Sequence, residues 1–196
     1  MKKVFILLAC AVILACQSGL KKPAAFKSDW PMITRTFIGP DYWSNRLQDW
    51  QLRDGRLECL FFGPNRNVNL LTRQLGESGD FTMSVIVGGM QRNATSALAG
   101  LRFGIRGYFN DYRDSAVHGT GIDAALTGDG YLIIGDPEKH KSEQFVIPEQ
   151  GVKLVLVGKK EPEHYHIQLT AFDLQSDQAL GLVSAQLAVD DIPGNV

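Results

Sequence analysis

Short apolar runs that alternate with period two restrict this chain more than any other feature. Phe81–Val87 reads FTMSVIV and puts Phe81, Met83, Val85 and Val87 on one parity. His164–Phe172 sets Tyr165, Ile167, Leu169 and Ala171 against His164, His166, Gln168 and Thr170. Neighbouring side chains of a strand point to opposite faces, so each run predicts a half-buried β-strand. Val152–Val157 is apolar on both parities after Lys153, which predicts a central strand covered on both sides. Val68 and Leu70 alternate with Asn67, Asn69, Leu71 and Arg73, and Ala179–Leu187 supplies a further strand. Asp173-Leu174-Gln175-Ser176-Asp177 is turn chemistry, so the last two long strands read as a hairpin. Twenty glycines and eight prolines punctuate these runs, and no long stretch keeps helical periodicity. The expectation is an all-β fold, a two-sheet antiparallel β-sandwich, with one domain over residues 30–196.

The N-terminus speaks to compartment. Met1-Lys2-Lys3 is a short basic start, and Val4–Ala15 is an apolar run too short for a comfortable membrane span. It ends in Ile13-Leu14-Ala15-Cys16, which resembles the lipobox of bacterial lipoproteins. That resemblance implies a signal peptide over residues 1–15, lipidation of Cys16 and a tether over residues 16–29. It places the protein in the bacterial cell envelope, lipid-anchored at the outer membrane or a periplasmic face. Removing Lys2 and Lys3 takes the net charge from −1 to about −3, which argues against nucleic acid as a partner. Of the three cysteines, Cys10 falls in the leader, leaving Cys59 without an internal disulfide partner. Cys59 shares a strand parity with Leu57 and Phe61 and reads as a buried, inert thiol.

Ala97–Asp114, ALAGLRFGIRGYFNDYRD, reads as a strand followed by a charge-dense loop. Ala99, Leu101, Phe103 and Ile105 form its core face, while Arg102 and Arg106 alternate with Gly100 and Gly104 on the other. Glycine on a strand face marks a place where another backbone or a ligand comes close.

Three segments together carry a family resemblance. They are Tyr42–Cys59 with its Trp43 and Trp50, Asn65–Thr72, and Gly100–Gly121 with Asp111-Tyr112-Arg113-Asp114. The chain resembles the N-terminal, concanavalin A-like jelly-roll module that precedes the metallophosphatase domain in bacterial alkaline phosphatase D-type proteins. The resemblance covers nearly all of the chain after the leader and implies the jelly-roll (laminin-G-like) form of the sandwich. In that family the catalytic metal ligands belong to a separate downstream domain, so phosphatase activity does not carry over. Gly194-Asn195-Val196 corresponds to the start of the module's closing strand, which makes the chain a stand-alone module or one lacking its last strand.

Catalytic constellations are thin. His164 and His166 share one face of a strand, and Glu161 and Glu163 join them only if the turn folds back, short of the three or four ligands a zinc site needs. His118 and His140 fall in polar loops, and Asp129 and Asp136 fall in turns, Thr127-Gly128-Asp129-Gly130 and Gly135-Asp136-Pro137. Neither a cofactor nor a metal is expected. The leading reading is a non-catalytic module that binds carbohydrate, or an envelope protein, on a concave polar sheet. Its candidate ligand-binding residues are Asn67, Asn69, Arg73, Arg102 and Arg106, with Asp111, Tyr112 and Arg113 at the rim. Against it stand ion pairing of Arg102 and Arg113 with Asp111, Asp114 or Glu58, and burial of Trp43 and Trp50 in the core. The alternative function is an accessory or structural domain of a metallophosphatase of the resembled type. A weaker one is a jelly-roll glycoside hydrolase, which needs two facing carboxylates from among Asp111, Asp114, Asp123 and Asp129.

Overall fold

The computed structural model describes residues 25–61, 63–76, 79–89, 97–109 and 112–196. The leader over 1–15 and Cys16 lie outside them, as do Asp111 and the side chains of Tyr112 and Arg113. The elements are β1 (Tyr42–Asn45), β2 (Trp50–Arg53), β3 (Arg56–Cys59), β4 (Asn67–Leu70), β5 (Gln74–Leu75), β6 (Phe81–Val87) and β7 (Leu98–Arg106). They are followed by α1 (Tyr112–His118), β8 (Thr120–Thr127), β9 (Leu132–Ile134), β10 (Val152–Lys160), β11 (His164–Asp173), β12 (Ala179–Ala188) and β13 (Gly194–Asn195). One sheet has the order β12-β11-β10-β6, and the other β5-β13-β7-β8-β9. All named pairings are antiparallel. The architecture is an all-β sandwich, carrying two ribbons, β1–β4 and β2–β3, beside the main sheets.

Alternation decides the core. β6 buries Phe81, Met83, Val85 and Val87 in part and exposes the residues between, as its pattern predicts. β11 buries Tyr165, Ile167, Leu169 and Ala171 to 1 % exposure or less. These meet Phe103, Ala124, Leu126, Leu132 and Ile134 of the five-stranded sheet in one apolar cluster. Each fully buried aliphatic side chain there is worth about 1.5–3 kcal/mol. Tyr165 keeps its hydroxyl satisfied by donating to the Gly79 carbonyl at 3.0 Å. At the β11–β12 turn, Asp173 Oδ1 accepts from the backbone N–H groups of Gln175 and Ser176. At the β8–β9 turn, Thr127 Oγ1 lies 2.5 Å from Asp129 Oδ1, and Gly130 adopts φ +90°. Both hairpins stand where the turn residues put them.

The structure corrects four readings. β10 is central in its sheet, yet only its inner face is buried: Val155 and Val157 are half-buried among Ser84, Thr82, Thr170 and Gln168. In β4 the buried residue is Asn69, at 1 % exposure, while Val68 and Leu70 are half-buried, because α1 covers the asparagine's face. The charge-dense loop is in part a helix, α1, whose Asp114 and Ser115 side chains accept from the Phe109 and Gly107 N–H groups. A seven-residue helix is too short to register as a period of 3.6. Trp43 and Trp50 are half-buried on the ribbons and take no part in the main core cluster.

The glycines of β7 have an internal explanation. β7 pairs with β8 in a register that shifts between Phe103 and Arg106, and Gly104 sits in that irregularity with φ +65°. A methyl group on Gly104 would collide with the Asp191 carbonyl, and one on Gly194 would collide with the Gly104 and Ile105 backbone. The backbone that approaches Gly104 is the chain's own C-terminal segment, and the one that approaches Gly100 is β8 at Ala124 and Ala125.

Candidate functional site

The residues singled out from the sequence do not form one surface. Asn67 and Asn69 lie on β4, which pairs with β1, whereas Arg102 and Arg106 lie on β7 in the five-stranded sheet. Asn69 Nδ2 donates to Asn67 Oδ1 at 3.1 Å and lies 3.5 Å from the Ala116 carbonyl. That asparagine pair ties β4 to α1. Arg73 falls just after β4; it donates to the Thr72 carbonyl and stacks its guanidinium 5.6 Å from the Phe26 ring centre.

Arg102 sits directly across from Asp123 on β8 and grips it with two hydrogen bonds, Nε to Oδ1 at 2.6 Å and Nη2 to Oδ2 at 3.0 Å. Both side chains are about one-third exposed, at 30 % and 33 %. The Asp123 hydrogen bond outweighs desolvation and holds the guanidinium above its ordinary pKa. Arg106 donates through Nε to the Pro193 carbonyl at 2.7 Å and through Nη2 to the Asp190 carbonyl. Both arginines therefore hold structure. Arg102 staples β7 to β8, and Arg106 clamps the segment leading into β13. Glu58 is taken by Gln51, Arg56 and Arg53 on the β2–β3 ribbon, and these hold its carboxyl below the usual range. Its partners lie two to seven residues away in sequence; the Arg102 partner lies 21 away and needed the fold to find it.

The other chemistry-bearing groups are dispersed. The turn after β10 does fold back, bringing Glu161 Oε2 to 2.9 Å from His164 Nε2, but among the described residues no three His, Cys, Asp or Glu side chains converge. Asp114 accepts from the Phe109 N–H, Asp123 holds Arg102, and Asp129 closes a turn, so each described candidate carboxylate organises local backbone or a strand pair. His118 ends α1, and His140 donates its backbone N–H to the Asp136 carbonyl. Cys59 is exposed rather than buried, because β3 lies on a ribbon at the side of the sandwich. Partial desolvation still pushes its thiol above the ordinary value, with a hydrogen bond to the Phe61 carbonyl opposing.

A surface that sequence reasoning passed over is the outer face of the four-stranded sheet. Strand register builds it in cross-strand rows: Ser84–Val155–Thr170–Leu182, then Thr82–Val157–Gln168–Ser184. The flanking rows are Ile86–Lys153–Phe172 and Lys159–His166–Gln186. Ile86 is 65 % exposed and Leu182 49 %, so no layer covers this face among the described residues. The polar halves of the predicted strand alternations were the signal for it.

No described helix is long and apolar enough to cross a membrane. No family model matches the chain, and neither a curated protein nor a solved structure matches it.

Proposed function

We propose that the protein is a lipid-anchored, non-catalytic binding module of the bacterial cell envelope that recognises carbohydrate on a sheet face. The face is the outer one of the four-stranded sheet, and β7 belongs to the opposite, five-stranded sheet that backs it. One observation carries this reading. Thr82, Ser84, Gln168, Thr170, Ser184 and Gln186 form an ordered array of hydroxyls and amides with no side-chain hydrogen bond to another described residue. Strands stand about 4.8 Å apart and same-face residues about 6.8 Å apart, so the array offers donors and acceptors at fixed spacing to an extended polyhydroxyl ligand. Val155, Val157 and Leu182 between them give apolar patches for the CH faces of a sugar ring.

A second reading, an accessory domain akin to the module that precedes alkaline phosphatase D-type catalytic domains, draws support from Arg102 and Arg106, both committed to internal bonds.

Glycan-array binding by the full-length lipidated protein in detergent tests the first reading. Binding that Gln168→Ala with Thr170→Ala abolishes, and that Arg102→Ala with Arg106→Ala leaves in place, supports it. A folded protein that binds no glycan overturns it and leaves the accessory reading. Loss only in the arginine pair, with that variant still folded, returns the site to β7.

A further inference from the structure

The exposed apolar side chains are unevenly distributed. Residues 26–61 hold Phe26, Met32, Ile33, Phe37, Leu47, Leu60 and Phe61 among the large hydrophobics open to solvent. Three of them stand beside the point where the leader joins the domain: Met32 is 75 % exposed, Ile33 46 % and Phe26 38 %. Their backbone is pinned. Trp30 packs on Tyr42 with ring centres 4.5 Å apart, and Phe26 meets the same ring edge-on at 6.2 Å. The Tyr42 hydroxyl donates to Ser28 Oγ at 2.8 Å. Arg35 and Leu52 exchange backbone hydrogen bonds at 3.0 and 2.7 Å in one isolated bridge to β2, and Met32 and Ile33 lie in the bend just before it, with the Met32 sulfur beside the turn at Gly55. Exposed apolar side chains gathered at one end of a domain and rimmed by polar residues mark an interaction site.

Chain length names the occupant. Residue 25 lies nine positions after Cys16. Nine extended residues reach at most about 30 Å at 3.3–3.6 Å each. A lipid on Cys16 therefore holds this end of the domain near the bilayer. Its chemistry suits the headgroup level: Met32, Ile33 and Phe26 are exposed, Trp30 and Tyr42 form an aromatic stack beside Phe26, Arg73 lies over the Phe26 ring, and Lys27 and Asp29 are exposed alongside. We propose that the face made by Phe26, Met32 and Ile33 rests on the phospholipid bilayer and seats the domain in one orientation. This inference rests on lipidation of Cys16. The β11–β12 turn then points away from the lipid. Arg73, stacked on Phe26, adjoins β5, which lies near the Ile105 end of β7, whereas β12 begins beside Leu132, at the Ala99 end.

The test uses the full-length protein in phosphatidylcholine–phosphatidylglycerol vesicles, in a Cys59→Ser background. An environment-sensitive fluorophore is placed through Met32→Cys or, as the distant reference, Ser176→Cys. Mass spectrometry of the N-terminal peptide reads lipidation first. The expected result is a lipidated protein whose probe at 32 is blue-shifted and quenched severalfold more by a bilayer-resident quencher than the probe at 176. Ile33→Asp should reduce that difference. A lipidated protein with both probes equally in water overturns the docking face alone. An unlipidated Cys16 overturns the anchor and the docking face with it.

Discussion

Arg102 shows what one residue does in this fold. Its bidentate bond to Asp123 spans two adjacent strands on a half-exposed face, where water screens part of the attraction. Arg102→Ala should lower stability by about 1 kcal/mol, and Lys should not restore it, because an ammonium cannot make the paired fork. Thermal melting checks this, with a shift of about 2–4 °C expected for a domain of this size. The result that counts against the staple is a melting point unchanged in Arg102→Ala. At Cys59 the prediction is chemical. The thiol is exposed but its pKa is raised above the ordinary 9.0 by partial desolvation, so the folded protein should be modified by a disulfide reagent more slowly than in urea. Cys59→Ser should abolish that reaction. Sequence parity put Cys59 on a buried face with Leu57 and Phe61, but β3 ends at Cys59, and parity does not say whether a strand lies inside the sandwich or on a ribbon beside it.

At the scale of elements, β7 is the strand on which the five-stranded sheet turns. It pairs with β8 along its length and with β13 only at Ile105, just past the irregularity at Gly104. Gly104→Ala meets two penalties. A left-handed φ of +65° costs an L-residue about 1–2 kcal/mol, and the added methyl strikes the Asp191 carbonyl. The variant should lose more than about 2 kcal/mol in urea unfolding. Gly76→Ala, where a methyl meets nothing within 4 Å, should stay within about 0.5 kcal/mol of the wild type. Equal effects at the two sites would contradict the close approach of the C-terminal segment. The glycine spacing in β7 was legible as a sign that something comes close to the strand; that at Gly104 it is the chain's own backbone, some 87 residues downstream, was not.

For the whole molecule, acid is the informative perturbant. Asp80 accepts from the Lys160 N–H and pairs with Lys159, and Asp173 accepts from the Ser176 and Gln175 N–H groups; these bonds hold both carboxyls below the ordinary 3.8. Glu58 is likewise held below 4.5 by Gln51 and Arg56. A depressed folded pKa means the unfolded chain binds more protons at acid pH. The stabilisation is full above the unfolded values and is lost as pH falls from about 4.5 through the folded values. The melting temperature should be flat from pH 7 to 5 and then fall, and Asp80→Asn with Asp173→Asn should flatten the acid limb. What can be read along the chain is local: strand positions, the inward parity of β6 and β11, and the Asp173 and Asp129 turns. Those follow from a two-residue side-chain period and from turn chemistry that acts over a few residues. Which strands lie side by side is settled by the folded arrangement. That choice commits Arg102 to Asp123 and Arg106 to the C-terminal segment, buries Asn69 under α1, and leaves the hydroxyl and amide face of the four-stranded sheet open. Such pairings depend on the closing of loops tens of residues long, a contest between burial and chain entropy that no short window of sequence contains.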